Sequence, residues 1–232
     1  MSSQVLELRQ EIAERFPGAV PVGYRTTPVV ATGVEPLDRV LPGGGLPRGR
    51  LVAWVPGGGA TAVLRGVCVD LVRRGERAAW VDGTGRVVGE TWPEGPLLVR
   101  PRDEAGALVC AEELLRSGGF GLVVLAGASL DSAGVRLSRR AREGGAAFVA
   151  LVDAVPVAAL RMVSRIPVDG YRWRLNPFGE PTEVEAVRVE VRVAGLGLST
   201  STRFWLGVAG YERRLSMESW LVDRRGVVAT RR

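Results

Sequence analysis

"RLVAWVPGGGATAVLRGVCVDLVRRG", residues 50–75, passes from one kind of structure to another through three consecutive glycines. Its first six residues, "RLVAWV" (50–55), form an apolar run of the kind that builds a strand buried on both faces. Residues 60–74 read as a helix ended by Gly75. Between them, Pro56, Gly57, Gly58 and Gly59 stand where a phosphate-binding loop belongs. Glycine backbone there is free to aim N–H groups at an anion beside the positive end of a helix. Such loops close on Gly-Lys-Ser/Thr. This one closes on Ala60, Thr61 and Ala62.

Outward from that turn, strands and helices alternate. "RAAWVD" (77–82), "PLLVR" (96–100), "FGLVVLAG" (120–127) and "AAFVALVD" (146–153) read as strands. Residues 103–117 and 130–143 read as helices, ended by Gly118-Gly119 and Gly144-Gly145. This βαβ alternation predicts an α/β fold with a mostly parallel, twisted sheet flanked by helices. After residue 165 the texture changes. "EVEAVRVEVRV" (183–193) alternates charged and apolar residues, as a half-exposed antiparallel strand does. "TRFWLGV" (202–208) is expected to pair with it through a Gly/Ser/Thr-rich turn at 195–201, with Trp205 in the core. Toward the N-terminus, Val5, Leu8, Ile12 and Phe16 fall near helical spacing until Pro17 and Gly18. The chain thus divides into an N-terminal helix arm and connector (1–31), a core (32–209) and an arginine-rich tail (210–232).

Composition narrows the chemistry. The 232 residues are 46% hydrophobic and 24% charged, enough for a core that needs no disulfide or metal. There is no histidine and no lysine, and all 31 basic residues are arginine. Histidine bases, histidine metal ligands and Schiff-base lysines are therefore excluded. Cys68 and Cys110 stand apart in helical patterns and are expected to be reduced thiols packed in the core. A net charge of +6 permits an acidic partner such as nucleic acid without requiring one. The N-terminal stretch has no apolar signal core, and the longest apolar run, 146–160, is broken by Asp153 and Pro156. A soluble, cytoplasmic protein without a membrane segment is expected.

"TGVEPLDRVLPGGGLPRGRLVAWVPGGGATAVL", residues 32–64, resembles the RecA-type recombinase core. There a T-G-x-x-x-L-D segment and a G-G-[LI]-x-x-G-x-[LIV] segment lead into the first strand and the phosphate loop. The likeness continues through "AAWVDGTG" (78–85) and "FGLVVLAG" (120–127), and covers about residues 8–208. "IAERFPGAVPV" (12–22) is similar to the segment by which one RecA protomer docks on its neighbour. The departures all concern ATP. The loop of the family reads G-P-E-S-S-G-K-T, and here it reads Val55-Pro56-Gly57-Gly58-Gly59-Ala60-Thr61-Ala62. Thr61 replaces the phosphate-reaching lysine and Ala62 the magnesium-holding hydroxyl. Thr84, Ala126 and Ala154 replace the water-activating glutamate, the metal-associated aspartate and the γ-phosphate-sensing glutamine. Arg65 lies a helical turn too late to stand in for lysine, and Asp82 and Asp153 are the nearby acids. The resemblance therefore implies a chain without phosphoryl-transfer catalysis, nucleotide cofactor or metal. Its glycines are read as a tight turn, with a residual anion nest as the alternative. The two loops by which RecA-type proteins grip single-stranded DNA are read as trimmed, so DNA contact of the RecA kind is not expected.

Two families keep this fold without the ATPase, and the chain resembles ImuA more closely than the SulA-type division inhibitors. ImuA is the accessory protein of a bacterial SOS-induced translesion-synthesis cassette. The likeness implies a non-catalytic scaffold whose partner is an ImuB-like inactive Y-family polymerase, with RecA and self-association as further options. Ile12, Phe16 and Val20 are then the docking residues. Arg213, Arg214, Arg224, Arg225, Arg231 and Arg232, with Trp220, are read either as nucleic-acid or partner contacts or as a solvated end. The runner-up is a SulA-type inhibitor that binds FtsZ, and an active RecA-like ATPase comes third.

Overall fold

A computed structural model describes residues 28–85, 95–153 and 155–208. At its centre Leu51–Trp54 (β3) is buried at all four positions. It lies between two parallel neighbours, Ala147–Leu151 (β7) and Leu160–Arg165 (β8). Beyond β7 come Leu122–Ala126 (β6), Ala78–Asp82 (β4) and Leu97–Val99 (β5), all parallel. Beyond β8 the sheet turns antiparallel through Pro181–Gly195 (β10) and Leu198–Gly207 (β11), while Tyr171–Leu175 (β9) pairs with the first part of β10. The order is β11-β10-β8-β3-β7-β6-β4-β5 with β9 as a branch. A separate two-stranded ribbon joins Val29–Val30 (β1) to Leu46–Pro47 (β2), and the short helix Glu35–Asp38 (α1) lies between them in the chain.

Period-2 side-chain alternation sends each strand's residues to two different cores. One face takes Trp54, Trp80, Val124, Val149, Met162 and Val189, packed against Val63, Leu64, Val67 and Cys68 of Ala60–Arg73 (α2). The opposite face takes Leu51, Val81, Val123, Leu125 and Phe148, covered by Glu104–Arg116 (α3) and Gly134–Gly144 (α4). Helices on both faces explain why the parallel strands are continuously apolar. The two outer helices are also tied together: Glu112 of α3 forms ion pairs with Arg136 and Arg140 of α4 at 2.9 and 3.3 Å.

Local chemistry sets the helix ends. Asp103 caps α3 by accepting from the Gly106 amide at 2.7 Å. The α4 helix stops where Gly145 enters the left-handed region at φ 71°. Cys68 is buried and Cys110 half-buried, on opposite faces of the sheet and both free. Burial pushes the Cys68 thiol up to about 12.

Three sequence expectations need correction. The turn expected over 195–201 is only two residues wide, because Leu196 and Gly197 both take positive φ (51° and 76°), the geometry of a tight two-residue hairpin turn. Ser199, Thr200 and Ser201 are consequently in β11. Trp205 is 44% exposed rather than core, since its position in β11 points away from the face that holds Phe204. The helix expected over 130–143 starts at Gly134. The strands β8 and β9 have no counterpart among the elements expected from the sequence. The arm with Ile12, Phe16 and Val20, the tail from residue 209 with its arginines and Trp220, and Ala154 lie outside the described residues.

Candidate functional site

Because β3, β4, β6, β7 and β8 run parallel, the segments that follow them emerge at one edge of the sheet. That edge is where open α/β sheets bind ligands. It gathers the glycine turn after β3, Thr84 after β4, Ala126 at the end of β6 and Asp153 after β7.

In the glycine turn, Gly57, Gly58 and Gly59 have φ of 106°, 53° and 90°, which favours glycine at all three positions. Gly58 has a second reason. A Cβ placed there would lie 2.2 Å from the Ser164 carbonyl oxygen and 2.6 Å from the Arg165 Cα. At Gly59 the same atom would meet Val189 Cγ2 at 3.0 Å. The turn is thus laid against the backbone of β8 and a side chain of β10. Side-chain hydrogen bonds fasten it there: the buried Trp54 donates its indole N–H to Ser164 Oγ at 3.1 Å, and that hydroxyl donates to the Gly57 carbonyl at 3.1 Å. The Gly57 carbonyl also accepts from the Ala60 amide at 2.9 Å, closing the turn into α2.

Thr61 and Ala62 stand exposed in the first turn of α2, which holds no acidic residue. What the turn offers an anion is backbone N–H and the helix dipole. At the end of β4, Asp82 is only 1% exposed and serves its own turn, accepting from the Thr84 amide at 3.1 Å and the Thr84 hydroxyl at 2.5 Å. Thr84 in turn lies tight against Gly127, where an added Cβ would meet its amide nitrogen and methyl carbon at 2.6 Å. So Thr84 and Ala126–Gly127 are brought together, as neighbouring strand ends. Thr84 is bound up in a turn with an aspartate, and Ala126 contributes only a carbonyl, to Gly83 N at 2.9 Å. Asp153 is exposed, and its own carbonyl accepts from Arg161 Nε at 3.2 Å. After β6 the chain reaches α4 through 127–133, and after β7 it reaches β8 through 152–159.

Sequence reasoning misses two features. One is Ser164, whose hydroxyl fixes the turn from a strand that the sequence pattern does not reveal. The other is a concavity of about 680 Å³ on the sheet, lined by Arg161, Arg165, Glu190, Arg192 and Arg203 among others, none of them from the turn. Its signal is present in "EVEAVRVEVRV", where charged residues recur largely at alternate positions.

Among the described residues no group of three metal-ligating side chains occurs, and no helix is long and apolar enough to cross a membrane. Comparison of the chain with protein-family models and with characterised proteins finds no match.

Proposed function

We propose that the chain is a RecA-like protein without ATPase chemistry, working in the cytoplasm as a scaffold in SOS-induced DNA damage tolerance beside an ImuB-like inactive Y-family polymerase. The observation that carries this reading is the glycine turn: its middle glycine is occupied by close approach to Ser164, and the two positions after Ala60 are an exposed threonine and an exposed alanine. Phosphoryl transfer depends on positioned cations and a water-orienting group. In the turn and at the strand ends beside it, Thr61, Ala62, Thr84 and Ala126 provide neither. The sequence likeness over residues 32–64 supports the RecA-like part. The mostly parallel sheet, with the turn after its central strand, is compatible with it.

On this reading activity lies in binding, with Ile12, Phe16 and Val20 as the apolar plug that enters another subunit. The test is capture of candidate partners by the full-length tagged chain. An ImuB-like polymerase from the same genome should be retained, and FtsZ should not. Ile12→Ala with Phe16→Ala should lower that capture or the self-associated mass at unchanged far-UV circular dichroism. Capture of FtsZ alone would move the assignment to a division inhibitor of SulA type.

A further inference from the structure

On the face that carries α3 and α4, the helices pack over β3, β4, β6 and β7, and their core takes no residue from β8, β10 or β11. The outward side chains of those three strands are strongly basic. Strand register places Arg161 opposite Ala194, Val163 opposite Arg192, and Arg165 opposite Glu190. On the other side of β10, Arg192 faces Ser201, Glu190 faces Arg203, and Arg188 faces Trp205. Arg161, Arg192 and Arg203 therefore form a diagonal row across three adjacent strands, with steps of about 7–8 Å between diagonal neighbours. All three are exposed.

Two of the acids beside these strands are engaged by other arginines, while Asp153 meets Arg161 through its carbonyl. Glu190 accepts from Arg165 Nε at 2.8 Å, and Asp169 from Arg188 at 2.7 Å. Among the described residues Arg192 and Arg203 have no ion-pair partner, and Arg161 has only the Asp153 carbonyl. Next to the row is a stacking plane. The Arg172 guanidinium lies 4.4 Å over the ring of Trp205, reaching across the small side chain of Ala186, and Trp205 is 44% exposed.

We propose that this face binds a short run of single-stranded DNA, with phosphates along Arg161, Arg192 and Arg203 and a base on the Trp205–Arg172 stack. Unpaired cations in a line suit a ligand whose charge repeats along one line, and an exposed indole beside them suits an unstacked base. An acidic peptide would use the charge but not the ring. The chain's own tail fits poorly, because residues 209–232 hold six arginines against three acids. The choice of DNA over RNA rests on the damage-tolerance reading above; the charge row and the ring do not depend on it.

The test is anisotropy of a labelled oligo-dT of about 15 nucleotides, within the site size that such surfaces cover. Full-length wild type is compared with Arg161→Gln/Arg192→Gln/Arg203→Gln, with Trp205→Ala, and with a variant in which the six tail arginines are glutamine. Circular dichroism and melting of each variant show that the fold is kept. The triple variant should bind at least tenfold more weakly at about 50 mM salt, and its slope of log K against log salt should be shallower by about 2, at roughly 0.7 for each phosphate no longer neutralised. Trp205→Ala should weaken binding about tenfold. Wild-type affinity in the folded triple variant would overturn the proposal. So would tighter binding of an RNA or duplex of equal length, or polyglutamate binding that needs the row when oligo-dT binding does not. Loss of DNA binding in the triple variant with unimpaired capture of the polymerase partner supports this site independently of the scaffold reading. No DNA binding by a wild-type chain that still captures the partner overturns this site alone.

Discussion

Gly58 lies so close to Ser164 that an added methyl carbon would sit 2.2 Å from its carbonyl oxygen. An approach of that kind fills, with the protein's own backbone, one side of a turn whose sequence position suggests a phosphate cradle. It also separates two glycines that look equivalent in the sequence. Gly57 has nothing within 4 Å of its added Cβ, although both have positive φ. Alanine at either position carries a backbone penalty of about 1–2 kcal/mol, and only at Gly58 must β8 or the turn also move. Urea unfolding should find Gly58→Ala less stable than Gly57→Ala by at least about 1 kcal/mol. Equal losses would mean that the close approach does not matter.

Ser164→Ala removes the hydroxyl that accepts from Trp54 and donates to Gly57. The indole N–H of a fully buried tryptophan then loses its acceptor, which should lower stability by about 1–3 kcal/mol. The measurement is denaturant unfolding followed by tryptophan emission. A variant as stable as wild type would show that the turn is held without this relay.

The two thiols should behave differently. Burial raises the Cys68 thiol from 9.0 to about 12, so the folded state keeps the proton that the unfolded state loses first. The stability linked to this group is complete below about 9, and falls as pH rises between about 9 and about 12. Unfolding free energy measured at pH 8 and pH 10 should therefore decline more steeply in wild type than in Cys68→Ala. With iodoacetamide at pH 8, Cys110 should be alkylated in the folded protein and Cys68 only under denaturant. Equal labelling rates would contradict the packing described for α2.

Acid acts at the opposite end of the scale. Hydrogen bonds from Arg139 and Arg140 hold Glu143 below the ordinary carboxylate range, and Arg188 does the same for Asp169. Each lowered group adds stability above its unfolded value of about 4, and that contribution is lost as pH falls through the folded value. Carboxyl carbon titration by NMR should show both resonances moving at lower pH than exposed glutamates and aspartates. Arg188→Gln should return Asp169 alone to the ordinary range.

The parallel half of the fold is legible in the sequence because burial on both faces writes long apolar runs, and "RLVAWV", "FGLVVLAG" and "AAFVALVD" carry that mark. The strands β8 and β9 are not legible, because "LRMVSR" and "YRWRL" put arginine between apolar residues on a sheet with one open face. The hairpin turn is misleading for a related reason: "GLST" looks like loop composition, while its register with Val193 and Ala194 decides otherwise. For the site, the missing lysine and hydroxyl can be read directly. What cannot be read is the role of Ser164, which meets Gly57 from far along the chain through β8 beside β3. Hydrophobicity alone sends Trp205 to the core, and only the pairing of β11 with β10 puts it on the outer face.

The most direct measurement is phosphate release by the full-length protein with Mg-ATP, with and without single-stranded DNA, beside Thr61→Asp. Thr61 is exposed in the first turn of α2, so an aspartate there leaves the core untouched and sets a negative charge where a phosphate would lie. A scaffold with a structural glycine turn gives rates equal to the buffer blank in both proteins. A rate that scales with wild-type protein and disappears in Thr61→Asp would show that the turn still serves a nucleotide.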